Sequence, residues 1–417
     1  MQTGGSGSPP GHPYTGPIPS MKPLVYSLLP RPAHPTRDGL AIRNYHLLSG
    51  LAGEFRVRAA VLAPPNLAGT GEYPPGVEAE EAPQTAGPAN RPDALVRSAL
   101  TGEAFPILLY RSRSLDALLE RWIAREKPAW VVAHAYHVAP AAIDLGAPAW
   151  VDFHNLDSEI WRRMGQSASS GLHRAFARWQ APRVEKAESG IVRRSGGISC
   201  VSERDARALA SLGGPPPLVV PNGVDLDRYA FRAQPAAQEK ILFVGDLSWP
   251  PNAEGIAWFC DRVWPLVSRL RPSARVEILG RGERTELSRI IRDPPAGAAF
   301  LGEGGDTRPH WNRAALSVVP LLAGGGTRLK ILEAAACGVP VVSTPVGAEG
   351  LDLTDGLEIR LAAEPEEFAS VVASLLADPD ARRAQAAAAR RRVETRHDWR
   401  QIGRRFAREL ASRAGAR

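Results

Sequence analysis

Cysteine is scarce in this chain. There are three in 417 residues, Cys200, Cys260 and Cys337, far apart and without CxxC spacing. That excludes a disulfide framework and a thiol metal knuckle, and it fits small buried residues in a reducing compartment. Long apolar runs are missing as well. None approaches the roughly 20 residues of a membrane span, although 44% of the chain is hydrophobic, as in a soluble globular protein. The opening MQTGGSGSPPGHPYTGPIPS has no basic segment followed by an apolar core, so it does not read as a signal peptide. Its Gly, Ser and Pro content predicts a disordered leader over 1–20. No GxSxG nucleophile motif is present. The nearest string to an Asp-x-Asp clamp, Asp225-Leu226-Asp227, follows a Pro-Asn-Gly turn and does not end a strand, so no metal is expected.

Acidic residues are sparse in one place only. Between Arg382 and Arg417 stand twelve arginines against Glu394, Asp398 and Glu409, a local excess of +9 where the whole chain carries +7. A nucleic-acid protein spreads its basic residues among aromatics on a binding face. Here they are gathered in one terminal helical segment, so no nucleic-acid partner is expected. In that segment Trp399, Ile402, Phe406 and Leu410 share a stripe, with Arg400, Arg404, Arg405 and Arg408 mostly off it. Two readings follow: a helix docked by its apolar stripe with a solvated arginine face, or peripheral attraction to an anionic membrane surface.

What the chain does have is a glycine-rich loop in an informative setting. Val318–Leu321 is an apolar run fit for a buried strand. Gly324-Gly325-Gly326-Thr327 follows, then Leu329, Leu332, Ala335 and Ala336 at helical spacing, ended by Gly338. A glycine loop between a strand and a helix start lets backbone approach a ligand, and the helix start offers free N–H groups and positive dipole to phosphate. Arg328 and Lys330 add positive charge. Glu333, further along the helix, can accept hydrogen bonds from ribose hydroxyls. The string is neither GxGxxG nor a P-loop. It still predicts a nucleotide-diphosphate site.

Strand-like and helix-like stretches alternate along the chain, which argues for parallel sheets in an α/β fold. The length is too great for one core, and the turn Pro221-Asn222-Gly223 reads as a hinge. The expected organisation is a first Rossmann-like domain over 21–220, a second over 221–396 and a terminal helix over 397–417, with the ligand cleft at the carboxyl ends of the strands. Pro64–Pro106 reads as an irregular excursion with a short helix near Leu95–Leu100. Glu254–Leu270 and Leu172–Val192 each read as one helix. His154 follows the apolar run Trp150–Phe153, so it stands at a strand's carboxyl end. His134 and His137 flank another. Arg43, one turn into the first helix, faces cleft or solvent. Gly280-Arg281-Gly282 ends a further strand.

Several segments, in order from about Lys22 to Leu351, resemble retaining glycosyltransferases of family 4. They are PTRDGLAIRNYHLLSGLAGEFRVRAAVLA, VDFHNLDSEIWRRM, CVSERDARAL, VVPNGVDLDRY, KILFVGDLSWPPNAEGIAWFCDRVWPLVSRLRPSARVEILGRGE and the glycine-loop segment itself. The resemblance points to a bacterial cell-surface polysaccharide branch of that family. It implies the GT-B fold: two Rossmann-like doubly wound domains facing a cleft, with a C-terminal helix crossing back. It implies a sugar moved from a nucleotide-diphosphate sugar to a hydroxyl of a glycan, a lipid-linked sugar or a small molecule, with retention and without a metal or other cofactor. It makes His154, Lys330 and Arg328 the catalytic candidates. It places Gly39, Arg281, Gly324, Gly325, Gly326, Thr327, Arg328, Lys330 and Glu333 at the donor. The implied location is cytoplasmic, with a possible peripheral contact at the inner membrane face. Two positions depart from the pattern. The first glutamate of the family's pair would fall at Gly325, and Leu40 stands where many relatives carry a second glycine. The loop Gly245–Asn252 also lacks the basic residue common there. A non-catalytic nucleotide-sugar binder and a GT-B epimerase are the alternatives.

Overall fold

Apolar runs in the chain become the strands of two parallel sheets. The computed structural model describes residues 22–415 apart from 35–37, 66, 70, 85–91, 168–170, 235, 237, 283–284, 304 and 324–327. The first sheet contains β1 (Leu24–Leu29), β2 (Arg56–Ala63), β3 (Val77–Pro83), β4 (Trp130–Ala133), β5 (Ala149–Phe153), β6 (Gly197–Cys200) and β7 (Leu218–Val219). Its order is β3-β2-β1-β4-β5-β6-β7, and every pair is parallel. The second contains β8 (Lys240–Val244), β9 (Arg275–Leu279), β10 (Ala298–Gly302), β11 (Leu316–Val319), β12 (Val341–Ser343) and β13 (Arg360–Leu361). Its order is β10-β9-β8-β11-β12-β13, again parallel.

Central strands such as β1 and β4 are buried along their whole length, because helices cover both faces of a parallel sheet. Each sheet therefore has two apolar layers. One layer of the first sheet joins Leu28, Val131 and Phe153 to the helices between them; the other joins Val25, Leu47, Val132 and Trp150 to the end of the chain. Strand order reverses between β1 and β4 and again between β8 and β11. Such switch points leave a crevice at the carboxyl ends of the strands, and the two crevices face each other.

Three sequence expectations change. The stretch expected to be irregular holds β3, parallel to β2, as well as the helix Pro92–Thr101. β3 was hidden because it is an edge strand: Glu78, Glu80 and Glu81 face solvent or the rim and blunt the edge. The expected helix Glu254–Leu270 is Pro250–Trp258, then a π turn over Phe259–Val263, then Trp264–Leu270. Pro265 lacks the N–H that would continue the α ladder, so the turn widens there. The helix expected over Leu172–Val192 is present, from Gly171 to Arg194, with Pro182 inside it. Finally, the basic terminal segment is two helices, Pro379–Arg396 and Trp399–Gly415, parted at His397.

The terminal helix returns to the first sheet. Trp399, Ile402, Phe406 and Leu410 are buried in the layer beneath β1 and β5, and the Trp130 indole donates to the Leu410 carbonyl at 3.0 Å. It crosses the first helix, Gly39–Glu54, at two glycines. A Cβ on Gly50 would lie 2.4 Å from the Gly403 carbonyl, so only glycine lets the two backbones touch. One turn away, the Trp399 indole stacks on His46 with centroids 5.1 Å apart. Arg400, Arg404, Arg405 and Arg408 are exposed. The stripe is thus a docking stripe. Trp399→Ala should lower unfolding free energy by about 3 kcal/mol in denaturant melts. Replacing Arg404 and Arg405 by Gln should leave the melt nearly unchanged. A neutral Trp399→Ala would show that the docked helix contributes nothing to stability.

Candidate active site

A cavity of about 880 Å³ opens between the sheets at their switch points. Gly39 and His46 of the first helix line one wall. Gly245, Gly280, Arg281, Lys330 and Glu333 line the opposite wall, and Gly223, Tyr229 and Trp399 close one side. The helix starts from the two domains meet here. A Cβ on Gly39 would sit 3.5 Å from the Leu329 side chain. The sequence thus brings together Gly39, Arg281, Lys330 and Glu333. Gly324, Gly325, Gly326 and Thr327 lie outside the described residues.

Lys330 reaches the loop that follows β8. Its ammonium donates to Asn252 Oδ1 at 2.9 Å and lies 4.4 Å above the Phe243 ring. It fits because position 245 is glycine: a Cβ there would stand 2.7 Å from Nζ. The Asn252 amide donates in turn to the Asp246 carbonyl at 2.9 Å. The loop without a basic residue therefore receives one from the helix behind the glycine loop. Burial first, and then the charge of the neighbouring Arg328, bring the Lys330 ammonium down to about 7, with Glu333 partly opposing them.

The Glu333 carboxyl points to the same cavity, flanked by the Tyr229 hydroxyl and the Trp311 indole. Burial raises it above the ordinary carboxylate range, against hydrogen bonding from Tyr229. Arg281 donates to Asp246 at 3.0 Å and stays partly exposed on the rim. The β8 and β9 ends come together there: a Cβ on Gly280 would fall 1.9 Å from the Gly245 carbonyl oxygen.

Gly39 opens the first helix, but the Asp38 carboxylate already accepts from the Leu40 and Ala41 amides, both at 3.1 Å, and pairs with Arg31. Those helix-start amides are occupied by Asp38. Arg328 does not line the cavity. Its side chain is deep enough that burial brings it down to about 10, with Glu349 opposing and Arg163 adding to the shift. Glu349 bridges the domains, paired with Arg204 and, at 3.5 Å, with Arg163.

His154 lies at the end of β5, as expected, but it is not among the residues lining the large cavity. Its Nε2 stands 3.2 Å from Asp152 Oδ2, and burial lowers its pKa despite that carboxylate. His134 is fully buried 3.3 Å from Ser27 Oγ, and burial pushes it down to about 3, so it is a core histidine. His137 pairs with Asp157 at 3.2 Å. Arg43 faces neither cleft nor solvent. It is 1% exposed, in a two-point pair with Asp152. Asp152 went unremarked in the sequence, although a carboxylate inside Trp150-Val151-Asp152-Phe153 is a signal: buried charges are rare and paired. Asn252, Tyr229 and Trp399 had no pattern that could announce them as site residues. Among the described residues, no group of three His, Cys, Asp or Glu is arranged to hold a metal.

Two doubly wound parallel sheets opposed across a cleft, with the last helix returning to the first sheet, define the GT-B class of glycosyltransferase folds. Residues 38–228 match the model of Glycosyltransferase Family 4, and residues 238–378 match that of Glycosyl transferases group 1. The chain belongs to this family of group 1/family 4 glycosyltransferases. An uncharacterized 44.6 kDa protein in the cps region of Klebsiella pneumoniae is 30% identical over 135 residues, which are 31% of this chain and 35% of that protein. Glycogen synthase of Mycobacterium tuberculosis is 27% identical over 237 residues, 52% of this chain and 55% of that protein. The chain thus spans about a third to about half the length of these relatives. The structure of Anabaena Alr3699/HepE in complex with UDP and glucose superposes with a TM-score of 0.64 at 15% identity, covering 93% of this chain and 99% of that one.

The buried ammonium has a consequence for stability. An unfolded lysine keeps its proton up to about 10.5, whereas Lys330 in the folded chain sheds it near about 7. Between those values the unfolded state binds more protons, so folding gains as pH rises, and below them the full penalty applies. Lys330→Met should therefore melt higher than wild type at about pH 6.5, with the gap narrowing toward about pH 9.5. Thermal melts across that range test this. A gap that is constant with pH would show that the ammonium is not destabilised by the fold.

Proposed function

We propose that this chain transfers a sugar from a nucleotide-diphosphate sugar to an acceptor hydroxyl, with retention and without a metal ion. The observation that carries the reading is the convergence of Lys330 and Glu333, on one face of the helix behind the glycine loop, on the cavity between the two switch points. Glu333 is suited to receive ribose hydroxyls. Lys330 and the start of its helix offset negative charge that grows on the diphosphate as the glycosidic bond breaks. The acceptor hydroxyl attacks on the face from which the diphosphate leaves, and a leaving phosphate oxygen takes its proton. His154 is assigned to hydrogen bonding with the transferred sugar or the acceptor. Arg328 acts at longer range.

A uridine nucleotide is the first base to test, because the Anabaena protein of like fold is solved with UDP. The Klebsiella relative's position in a cps region favours a glycan or lipid-linked acceptor of cell-surface polysaccharide synthesis. Among the described residues no helix is long and apolar enough to cross a membrane. The proposed location is the cytoplasm, with Arg404, Arg405 and Arg408 available for peripheral contact with anionic lipid.

Glu333→Ala should weaken donor binding by about 1.5–3 kcal/mol, the worth of hydrogen bonds to a charged group, read by calorimetry. Unchanged affinity would remove Glu333 from the site. Lys330→Ala should lower kcat by roughly 100-fold with a smaller effect on donor affinity. Steady-state kinetics with a UDP-sugar panel and a mixed acceptor pool measure it, with EDTA expected to leave the rate intact. Donor binding without any turnover would favour a binding protein.

A further inference from the structure

The connection between the two sheets is tied to His154 by a buried charge pair. The Arg43 guanidinium makes a fork onto Asp152, Nε to Oδ2 at 2.7 Å and Nη2 to Oδ1 at 2.8 Å. Its remaining nitrogen, Nη1, donates to the Val220 carbonyl at 2.9 Å, to Asn222 Oδ1 at 2.9 Å and to the Pro221 carbonyl at 3.4 Å. Those three residues are the segment that leads from the first sheet to the second. Asp152 is fully buried and accepts in addition from Ser199 Oγ at 2.6 Å, itself held by the Trp150 indole at 3.1 Å. The oxygen that takes Arg43 Nε, Oδ2, also stands 3.2 Å from His154 Nε2, a close charge contact rather than an aligned hydrogen bond. Asn222 extends the network across the hinge, because its carbonyl accepts from His397 Nδ1 at 2.8 Å, where the chain returns to the first domain.

Such a pair is an expensive way to fill a core. Taking both ions out of water costs several kcal/mol each, and apolar side chains of similar volume often do as well or better. What a fork of fixed geometry supplies is orientation. The carboxylate beside Nε2 favours the imidazole tautomer with the proton on Nε2, and Nδ1 is then the nitrogen left to accept a hydrogen bond from a hydroxyl. The guanidinium spans the gap between that carboxylate and the linker, so the two cannot shift independently without breaking a charge-assisted bond.

We propose that Arg43 and Asp152 are positioning residues of the transfer reaction: Asp152 sets the tautomer and orientation of the His154 ring, and Arg43 makes that setting depend on the seating of the linker Val220–Asn222. The proposal rests on the reading that His154 meets the sugar or the acceptor. It assigns a function to a pair that touches no ligand, and it couples the relative placement of the domains to a side chain on one of them. His134, buried near Asp152, is held neutral by its burial and adds no competing charge.

The test uses the full chain labelled with ¹⁵N-histidine, with the His154 ring signals identified by their loss in His154→Gln. Asp152→Asn keeps the size of the side chain and removes its charge. Arg43→Lys keeps the cation and removes the fork. Asn222→Ala leaves the pair and loosens only the linker. In wild type the ring should show the Nε2–H tautomer. In Asp152→Asn it should show a mixture, and kcat should fall by roughly 100-fold, the scale of a misplaced reacting group, with donor KM within about twofold. Arg43→Lys should lie between these two, and Asn222→Ala should shift the His154 signals and lower kcat several-fold while melting close to wild type. If Arg43→Lys does not fold, Asn222→Ala carries the linker claim alone. An unchanged His154 tautomer in Asp152→Asn overturns the proposal, as does a fall in kcat for Asp152→Asn in a chain where His154→Gln is fully active. Absence of sugar transfer by the wild-type chain instead refutes the functional reading, and the ring signals then decide whether Asp152 and the linker hold His154.

Discussion

The candidate site depends on how two strands of chain cross between the domains. Val224 donates to the His397 carbonyl at 2.8 Å, and Trp399 donates back to Val224 at 3.3 Å, so the outgoing and returning segments form a short parallel bridge. The crossing keeps the carboxyl ends of the two sheets opposed. It also delivers Gly223, Val224 and Trp399 to the side of the cavity that holds Lys330 and Glu333. Without it, the charged helix behind the glycine loop would face open solvent, and charge there would be screened by water.

Around that crossing the molecule spends stability on charge. Lys330 is enclosed against Phe243 and Gly245, and Glu333 is raised by its burial. Arg43 and Asp152 are buried as a pair. Ionised groups withdrawn from water are costly unless paired. The compensating features are apolar and close by: the Gly50–Gly403 contact brings the first and last helices together, and Trp399, Phe406 and Leu410 fill the layer beneath the first sheet. A rigid apolar frame of this kind is what lets a cleft of low dielectric keep charged groups withdrawn from water.

The limits of reading this chain from sequence follow particular residues. The alternation of strands and helices was visible because buried parallel strands are apolar throughout, and the glycine loop was visible because glycine marks close backbone approach. β3 was missed because an edge strand carries solvent-facing glutamates. The π turn was missed because its cause, Pro265, acts on a hydrogen bond four residues back. Arg43 reads as facing cleft or solvent because arginine is seldom fully buried, and only its partner one hundred and nine residues later explains its burial.

Sequence alone was enough for local matters: which apolar stretches are buried strands, that a strand, a glycine loop and a basic helix start follow each other, and that Trp399, Ile402, Phe406 and Leu410 share a stripe. These rest on periodicity and neighbouring residues, which the chain carries in its order. The tertiary structure decided which charges meet. It brought Lys330 to Asn252 and Gly245, took Arg328 toward Glu349, buried Arg43 on Asp152 and set His154 beside that carboxylate. Those encounters join residues far apart in the chain. They depend on how the strands and helices of each domain pack against one another, which no local pattern encodes.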